Sequence, residues 1–474
     1  MKQVTIDLDG VDDSKGKKID PKGKKLSPDK KKKVRKIVIL SIIALLLCAG
    51  GYFLLRVLGI ISGTGLNINP FQLLSKEEPE LKKDEQGRTN MLFVGIDTSP
   101  SSPGLRNTDT IIVASFNHNT NEALLMSIPR DMWVQHPYNK TYHSKINAVY
   151  NSCENQDEGT GLGCLADVTE EVTNLDIHYS AMLDISGLIE VVDIVGGVEV
   201  NVENGFTDYM FPQGNGYTIV SFESGLQKMD GQAAMEYARS RHSQGPEGSD
   251  FARARRQQNL IKAIITKMMS METYMNPAKI LEIAEQVGDN VKFEDINLED
   301  IKAGINIAKD FNFEDVYSVV LDPSIGDWSI ITEDPSDAYI LLPELGIDKW
   351  DDLHKFVTAY IDFPGMYDER PKIYIYNGGL GNDETLEEVD SLMDKYPYID
   401  IVFAGNSSNQ DYVGNNIISF SEETKYKSIV QLEKFFKTKY SADENTDFTP
   451  VYGEDLAVIL GAPETADSIS ETKQ

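Results

Sequence analysis

Residues 90–131 read NMLFVGIDTSPSSPGLRNTDTIIVASFNHNTNEALLMSIPRD. Three apolar runs stand out in that stretch: NMLFVGID, closing on Asp97; TIIVASF, following Asp109; and ALLMSI, leading into Pro129-Arg130-Asp131. A Ser/Pro/Gly-rich loop separates the first two, and the turn formers Asn117 to Asn121 separate the last two, so each run is read as a strand. Strands running up, down and up bring the end of the first, the start of the second and the end of the third to one sheet edge, so Asp97, Asp109 and Arg130 converge there. Two carboxylates beside a phosphate-binding arginine suit a hard divalent cation such as Mg²⁺, which takes one or two carboxylates and completes its shell with phosphate oxygens and water. A single strand-end Asp more often serves as a turn former or helix cap. The joint placement with Arg130 is what favours the cation.

A second stretch, YARSRHSQGPEGSDFARARRQQ at Tyr237 to Gln258, carries five arginines in a chain that has 45 Lys+Arg against 75 Asp+Glu and a formal charge of -30. Arg presents a planar fork of donors to phosphate or carboxylate and stays charged at any working pH, so the local excess points to a held oxyanion. Arg239 and Arg241, two apart, share a face if that segment is extended. After Gly245-Pro246, Ser249 or Asp250 caps a helix with apolar positions at Leu260, Ile261, Ile264, Ile265, Met268 and Met269. Extended backwards, that stripe takes in Arg253 and Gln257, placing two donors at a helix N-terminus, where free N–H groups favour anions. Arg255 and Arg256 fall off the stripe and are given no special role. Solvated salt bridges to Glu236, Glu247 and Asp250 are the competing reading.

The 474 residues suffice for two or more domains. Three Cys exclude a disulfide scaffold, and six scattered His without HExxH exclude a zinc site. The negative balance excludes nucleic acid as partner. Cys153 and Cys164 flank an acidic, Gly-rich loop that either a disulfide closes or two free thiols border. Lys30 to Lys36 precede the uncharged run Ile37 to Leu55, which is read as one transmembrane helix; basic residues on its N-terminal side leave the tail in the cytoplasm and export the rest. The expected organisation is a basic tail (1–36), the span (37–59), a linker (60–87), an α/β domain (88–345), a second linker (346–370), a small α/β domain (371–462) and a disordered tail (463–474). Within the large domain, Ile189 to Val202 reads as helix, Gly cap and strand, Asp230 caps a short helix that delivers Arg239, residues 278–308 are mostly helical, and a strand lies near Val316. The small domain reads strand, helix, strand, strand, helix, strand from Lys372 to Gly461.

VGID at Asp97, NTDTIIV around Asp109, SIPRDM at Ser127 to Met132, KIN at Lys145 to Asn147, VVDIVGGVEV at Val191 to Val200 and YARSRH...DFARARRQQ occur in order. Together they resemble the LytR-CpsA-Psr family of bacterial cell-envelope transferases, over roughly Asn90 to Pro343; Lys372 to Gly461 looks like the LytR C-terminal domain. The resemblance implies a three-layer α/β/α fold with a central mixed sheet, and an enzyme that moves a glycopolymer from a polyprenyl-pyrophosphate carrier onto peptidoglycan as a phosphodiester, with Mg²⁺ or Mn²⁺ as cofactor. Asp97 and Asp109 match the metal-binding carboxylates; Arg130, Arg239, Arg241, Arg253 and Gln257 match the pyrophosphate ligands, with Arg130, Arg239, Asp97 and Asp109 in catalysis. Where relatives carry Arg-x-Asp, this chain has Asn107-Thr108-Asp109 with Arg106 one residue earlier, so Arg106 either reaches the phosphate from a shifted loop or leaves that contact missing. The Cys153 to Cys164 loop looks like an insertion. A polyprenyl-pyrophosphate hydrolase with the same ligands and a non-catalytic wall-binding or regulatory protein are the rival functions.

Overall fold

The computed structural model describes residues 79–97, 107–214, 216–269, 290–312, 315–323, 330–334, 339–420, 425–440 and 452–463, with single positions 288 and 328. The predicted tail, the predicted span at 37–59, most of the first linker, Arg106 and residues 464–474 lie outside them. Among the described residues no helix is long and apolar enough to cross a membrane.

The three decisive runs form β1 (Arg88–Ile96), β2 (Thr108–Asn117) and β3 (Glu122–Ser127), each antiparallel to the next. A hairpin of β4 (Trp133–His136) and β5 (Asn139–Lys145) follows, then α1 (Val149–Gln156) and α2 (Gly161–Thr173). Cys153 and Cys164 lie on these two helices and are joined by a disulfide, so the expected Gly-rich loop is a stapled helical hairpin. Both cysteines are buried, and Cys153 sits in the main apolar core. Next come β6 (Tyr179–Asp184), α3 (Ile185–Ile194), β7 (Val198–Val202), the hairpin β8 (Phe206–Gln213) and β9 (Gly216–Phe222), and β10 (Gly225–Met229), which pairs with β7. Gly196 and Gly197, both at φ +84°, make the turn between α3 and β7 that only glycine adopts without strain.

Then follow α4 (Gly231–Arg239), capped by the Asp230 side chain, and α5 (Asp250–Met268), capped by Ser249. Residues 278–308, expected as mostly helix, include β11 (Val291–Glu294) before α6 (Leu298–Asp310). The strand is short, and its edge pairing with β6 holds a segment too brief for periodicity to reveal. With β12 (Val316–Val320) the sheet runs β11-β6-β1-β2-β3-β12, mixed in direction. Leu92, Val94, Ile111, Val113, Leu124 and Met126 bury one face in a core shared with α1 and α2. On the opposite face, α5 reaches the sheet through Gln258, whose Nε2 donates to Ser127 Oγ and to the Leu125 and Val319 carbonyls. Helices thus flank a central sheet.

A small pair, β13 (Ile331–Glu333) and β14 (Leu341–Pro343), closes this region. The expected second linker is instead two packed helices, α7 (Asp351–Asp362) and α8 (Pro364–Glu369). Leu353, Phe356, Tyr360, Met366 and Tyr367 bury their side chains there, so the chain cannot act as a flexible tether. The apolar and aromatic spacing of DDLHKFVTAYID had the period of a buried helix, which the charged residues at its start obscured. The last domain has β15 (Lys372–Asn377), α9 (Asn382–Lys395), β16 (Asp400–Asn406), β17 (Asn415–Ser419), α10 (Tyr426–Phe436) and β18 (Leu456–Leu460), with sheet order β16-β15-β18-β17. Its core is continuous with that of the first sheet through α7 and α8.

Candidate active site

The site lies where β1, β2 and β3 deliver their charged ends beneath the N-terminus of α5. Asp97 follows β1, Asp109 stands at the start of β2, and Arg130 follows β3. Arg130 Nη1 donates to Asp109 Oδ1 at 2.6 Å, and its Nη2 donates to Asp250 Oδ2 at 2.9 Å. Arg239, the last residue of α4, donates from Nη2 to Asp97 Oδ2 at 2.6 Å while its guanidinium lies 5.9 Å from the Phe211 ring. Arg253 on α5 pairs with Asp250 Oδ1 at 3.2 Å and reaches the Asp109 carbonyl at 3.5 Å. Gln257, one turn on, donates to the Ala238 carbonyl at 3.4 Å. Asp109, Arg130, Asp250, Arg253 and Gln257 line a single cleft. Asp109 and Arg130 meet in this cleft, while Asp97, at the same sheet edge because Ile96 pairs with Thr108, is bridged to Arg239.

Arg241 is placed differently. Its backbone N–H donates to Asp208 Oδ2 at 3.0 Å, and among the described residues its guanidinium makes no hydrogen bond or ion pair within 4 Å. It is close enough to Asp250 and Arg253 to act on both electrostatically. Burial alone would raise the Asp250 carboxyl, yet Arg253, Arg130 and Arg241 together hold it below the usual range. Arg253 is pushed down by its burial, with Arg130 and Arg241 adding repulsion, although Asp250 and Asp109 pull it up. Burial opposes the charge on Arg130 too, but Asp250, Asp109 and Asp131 outweigh it and raise its pKa. Arg253 Nε is buried without a hydrogen-bond partner among the described residues, at a cost of about 1–3 kcal/mol, and Arg130 Nε has only the Asp131 carboxylate at 3.6 Å. Guanidinium donors crowded together, some unused, are what an oxyanion binds.

Several residues that position this site were not singled out in the sequence. Asp250, weighed only as a cap or a surface partner, bridges Arg130 and Arg253. Asp208 is fully buried on β8 and accepts from the backbone N–H groups of Met210, Arg241 and His242, fixing the loop that carries Arg241. Lys145 of the KIN motif donates to Asp131 Oδ1 at 2.5 Å, and Asn147 N–H holds the Arg130 carbonyl at 3.2 Å. Arg256, assigned no role from the helical stripe, is only 3% exposed. It donates to the carbonyls of Tyr237, Ser240 and Glu247 and to the Glu247 carboxylate at 2.7 Å, and stacks 4.5 Å from the Phe206 ring. It is the brace of the arginine loop. The loop turns at Gly245, φ +80°, and closes so tightly that a Cβ on Gly248 would stand 1.9 Å from the Ser243 carbonyl oxygen. On α5, Ile264 packs against a second apolar core built around Val198, Phe206, Phe222 and Tyr237, while Ile261 and Ile265 stay half-buried.

Fold and site define an α/β protein with an arginine-rich anion cleft at a sheet edge. The LytR_cpsA_psr family model matches residues 67–328, more than half of the chain, and the chain belongs to that family. It is 32% identical over 223 residues to a polyisoprenyl-teichoic acid–peptidoglycan teichoic acid transferase TagU of Enterococcus faecalis; the match covers 47% of this chain and 65% of that relative's length. A TagU of Oceanobacillus iheyensis is 30% identical over 259 residues, covering 53% of this chain and 73% of the relative. The crystal structure of Bacillus subtilis TagV aligns with a TM-score of 0.44 at 24% identity, covering 59% of this chain and 99% of that one.

Proposed function

We propose that the protein is a membrane-anchored, extracellular phosphotransferase that moves a glycopolymer from a polyprenyl-pyrophosphate carrier onto a peptidoglycan hydroxyl. The observation that carries this reading is the cluster of Arg130, Asp109, Asp250 and Arg253, with Arg241 near enough to act on Asp250, beside a sheet edge where Arg239 pairs with Asp97. The names of the relatives, which are teichoic acid transferases, agree with it. The run Ile37 to Leu55 supplies the anchor, with the tail before it cytoplasmic.

In the reaction the acceptor hydroxyl oxygen bonds to the glycan-bearing phosphorus, the bond from that phosphorus to the bridging oxygen breaks, and polyprenyl monophosphate leaves. Catalysis of this kind rests on positioning and charge neutralisation. Arg239 and Arg130 take the bridging and leaving oxygens, Arg253 and Gln257 orient the diphosphate from the start of α5, and Arg241 closes over it. Each guanidinium that turns to phosphate releases a carboxylate: Arg130 releases Asp109, and Arg239 releases Asp97. One of these two accepts the hydroxyl proton. Asp97 and Asp109, once released, are the residues that would hold a divalent cation. Among the described residues no group of three or more His, Cys, Asp or Glu could hold one, so the cation would be shared with phosphate oxygens, a donor set that suits Mg²⁺. When bound it would neutralise developing negative charge. Arg106 is proposed as an additional phosphate contact.

The test is mass spectrometry of lipid retained by the detergent-extracted full chain, followed by product analysis with and without acceptor glycan. Retained polyprenyl-pyrophosphate glycan and acceptor-dependent phosphodiester formation are expected. Release of carrier phosphate at the same rate without acceptor would identify a hydrolase instead.

A further inference from the structure

The hairpin of β8 and β9 has one buried face and one exposed apolar face. Phe206, Phe211, Val220 and Phe222 are buried in the second core, whereas Tyr209, Met210, Tyr217 and Ile219 are 47–67% exposed. A register shift between Asp208 and Phe211 turns Tyr209 and Met210 outward together instead of letting them alternate. Large apolar side chains grouped this way mark an interaction surface. The charge pattern says which kind. From Tyr209 to Phe222 there is no Asp, Glu, Lys, Arg or His, in a chain that is 25% charged with net charge -30. A protein partner recognised by this acidic molecule would be met with charge; an uncharged strip of two tyrosines, a methionine and an isoleucine matches the headgroup boundary of a bilayer, where rings with an apolar body and a polar tip sit.

We infer that the β8–β9 hairpin seats its exposed apolar face in the membrane surface and so sets the arginine cleft against the leaflet that holds the substrate. This rests on the lipid-linked substrate proposed above. Its structural link is direct, because the same hairpin holds the site. Asp208, on the buried face, fixes the backbone of Arg241 and His242, and the Phe211 ring on that face lies beneath Arg239. Seating the exposed face therefore orients both arginines toward the carrier headgroup without moving either relative to the sheet.

The experiment uses the full chain in phosphatidylcholine nanodiscs, with Cys48→Ser removing the thiol of the predicted span and Cys153–Cys164 bridged. An NBD label on Ile219→Cys, seated about 5–10 Å into the headgroup boundary, should shift to shorter wavelength and be quenched by lipids carrying a nitroxide near the top of the acyl chain. The same label on Leu386→Cys, an exposed position on α9, should not be quenched. Unquenched label at 219, or crosslinking through 219 to a second copy, overturns the inference. Quenching is read without any activity, so a protein that transfers nothing can still pass, and one that transfers normally can still fail. Where transfer is measurable, replacing Tyr209, Met210, Tyr217 and Ile219 by Ser should lower the rate from a long-chain, membrane-embedded donor at least about tenfold while leaving a short-chain soluble donor unaffected. Equal loss on both donors would count against membrane seating.

Discussion

Two strand ends in this molecule concentrate polar side chains, and they do so in opposite ways. At the end of β15, Asn377 is buried and uses all of its side-chain hydrogen-bonding capacity: Nδ2 donates to Asn382 and Asn406, and Oδ1 accepts from Gly379 and Gly381 N–H. Its carbonyl accepts from Ser407 N–H and Gln410 Nε2. Every partner there is neutral and comes from the C-terminal domain, and the Asn377 amide is fully used. At the ends of β1, β2 and β3 the groups are charged, come from distant parts of the chain and leave a buried guanidinium nitrogen unused. The first arrangement builds a rigid turn. The second can exchange its partners, as a site that must take and release a phosphate requires.

The contrast can be broken by substitution. Arg239→Ala should lower transfer by about 10³-fold or more, the contribution of an arginine that neutralises a transferring phosphoryl group, with little change in melting temperature; a single-turnover assay decides it, and a variant retaining full transfer defeats the proposed mechanism. Arg256→Ala should act on folding instead, costing about 3–5 kcal/mol in chemical denaturation because Glu247 and three carbonyls lose a buried cation. Activity should then fall only with the folded fraction. Asn377→Ala should cost about 1–3 kcal/mol of stability by stranding the Gly379 and Gly381 N–H groups, and should leave transfer unchanged at a temperature where the protein stays folded. A loss of transfer in that variant would couple the two strand ends and erase the distinction.

The smallest effect is on pH. Because the arginines hold the Asp250 carboxyl below its usual value despite burial, its contribution is fully present above about pH 3.8 and is lost as pH falls through the lower folded value. The stability difference between the wild type and Asp250→Asn should stay flat from neutral pH down to about 5 and shrink below about 4. A difference that grows on acidification would show that Asp250 is not held ionised by its neighbours.

Much of this was legible in order along the chain. Apolar runs gave β1 to β3 and the elements of the C-terminal domain, and the up-down-up order put Asp97, Asp109 and Arg130 at one sheet edge. Asp208, Arg256 and Gln258 were not legible, since the partners that decide their roles, Arg241 and His242 for Asp208, Glu247 for Arg256 and Leu125 for Gln258, lie nine or more residues away. Likewise α7 and α8 looked like a linker because charge at their start hid a buried face.

By itself the sequence determined where strands and helices lie and which of their ends carry charge, because periodicity and capping are local. Only the tertiary structure decided which arginine does what. Arg253 and Arg256 are three residues apart on one helix; the first faces Asp250 and the cleft, and the second enters the carbonyls of the neighbouring loop. The physical reason is that desolvating a guanidinium is tolerable only where acceptors already wait, and their positions are set by chain folded around it from elsewhere.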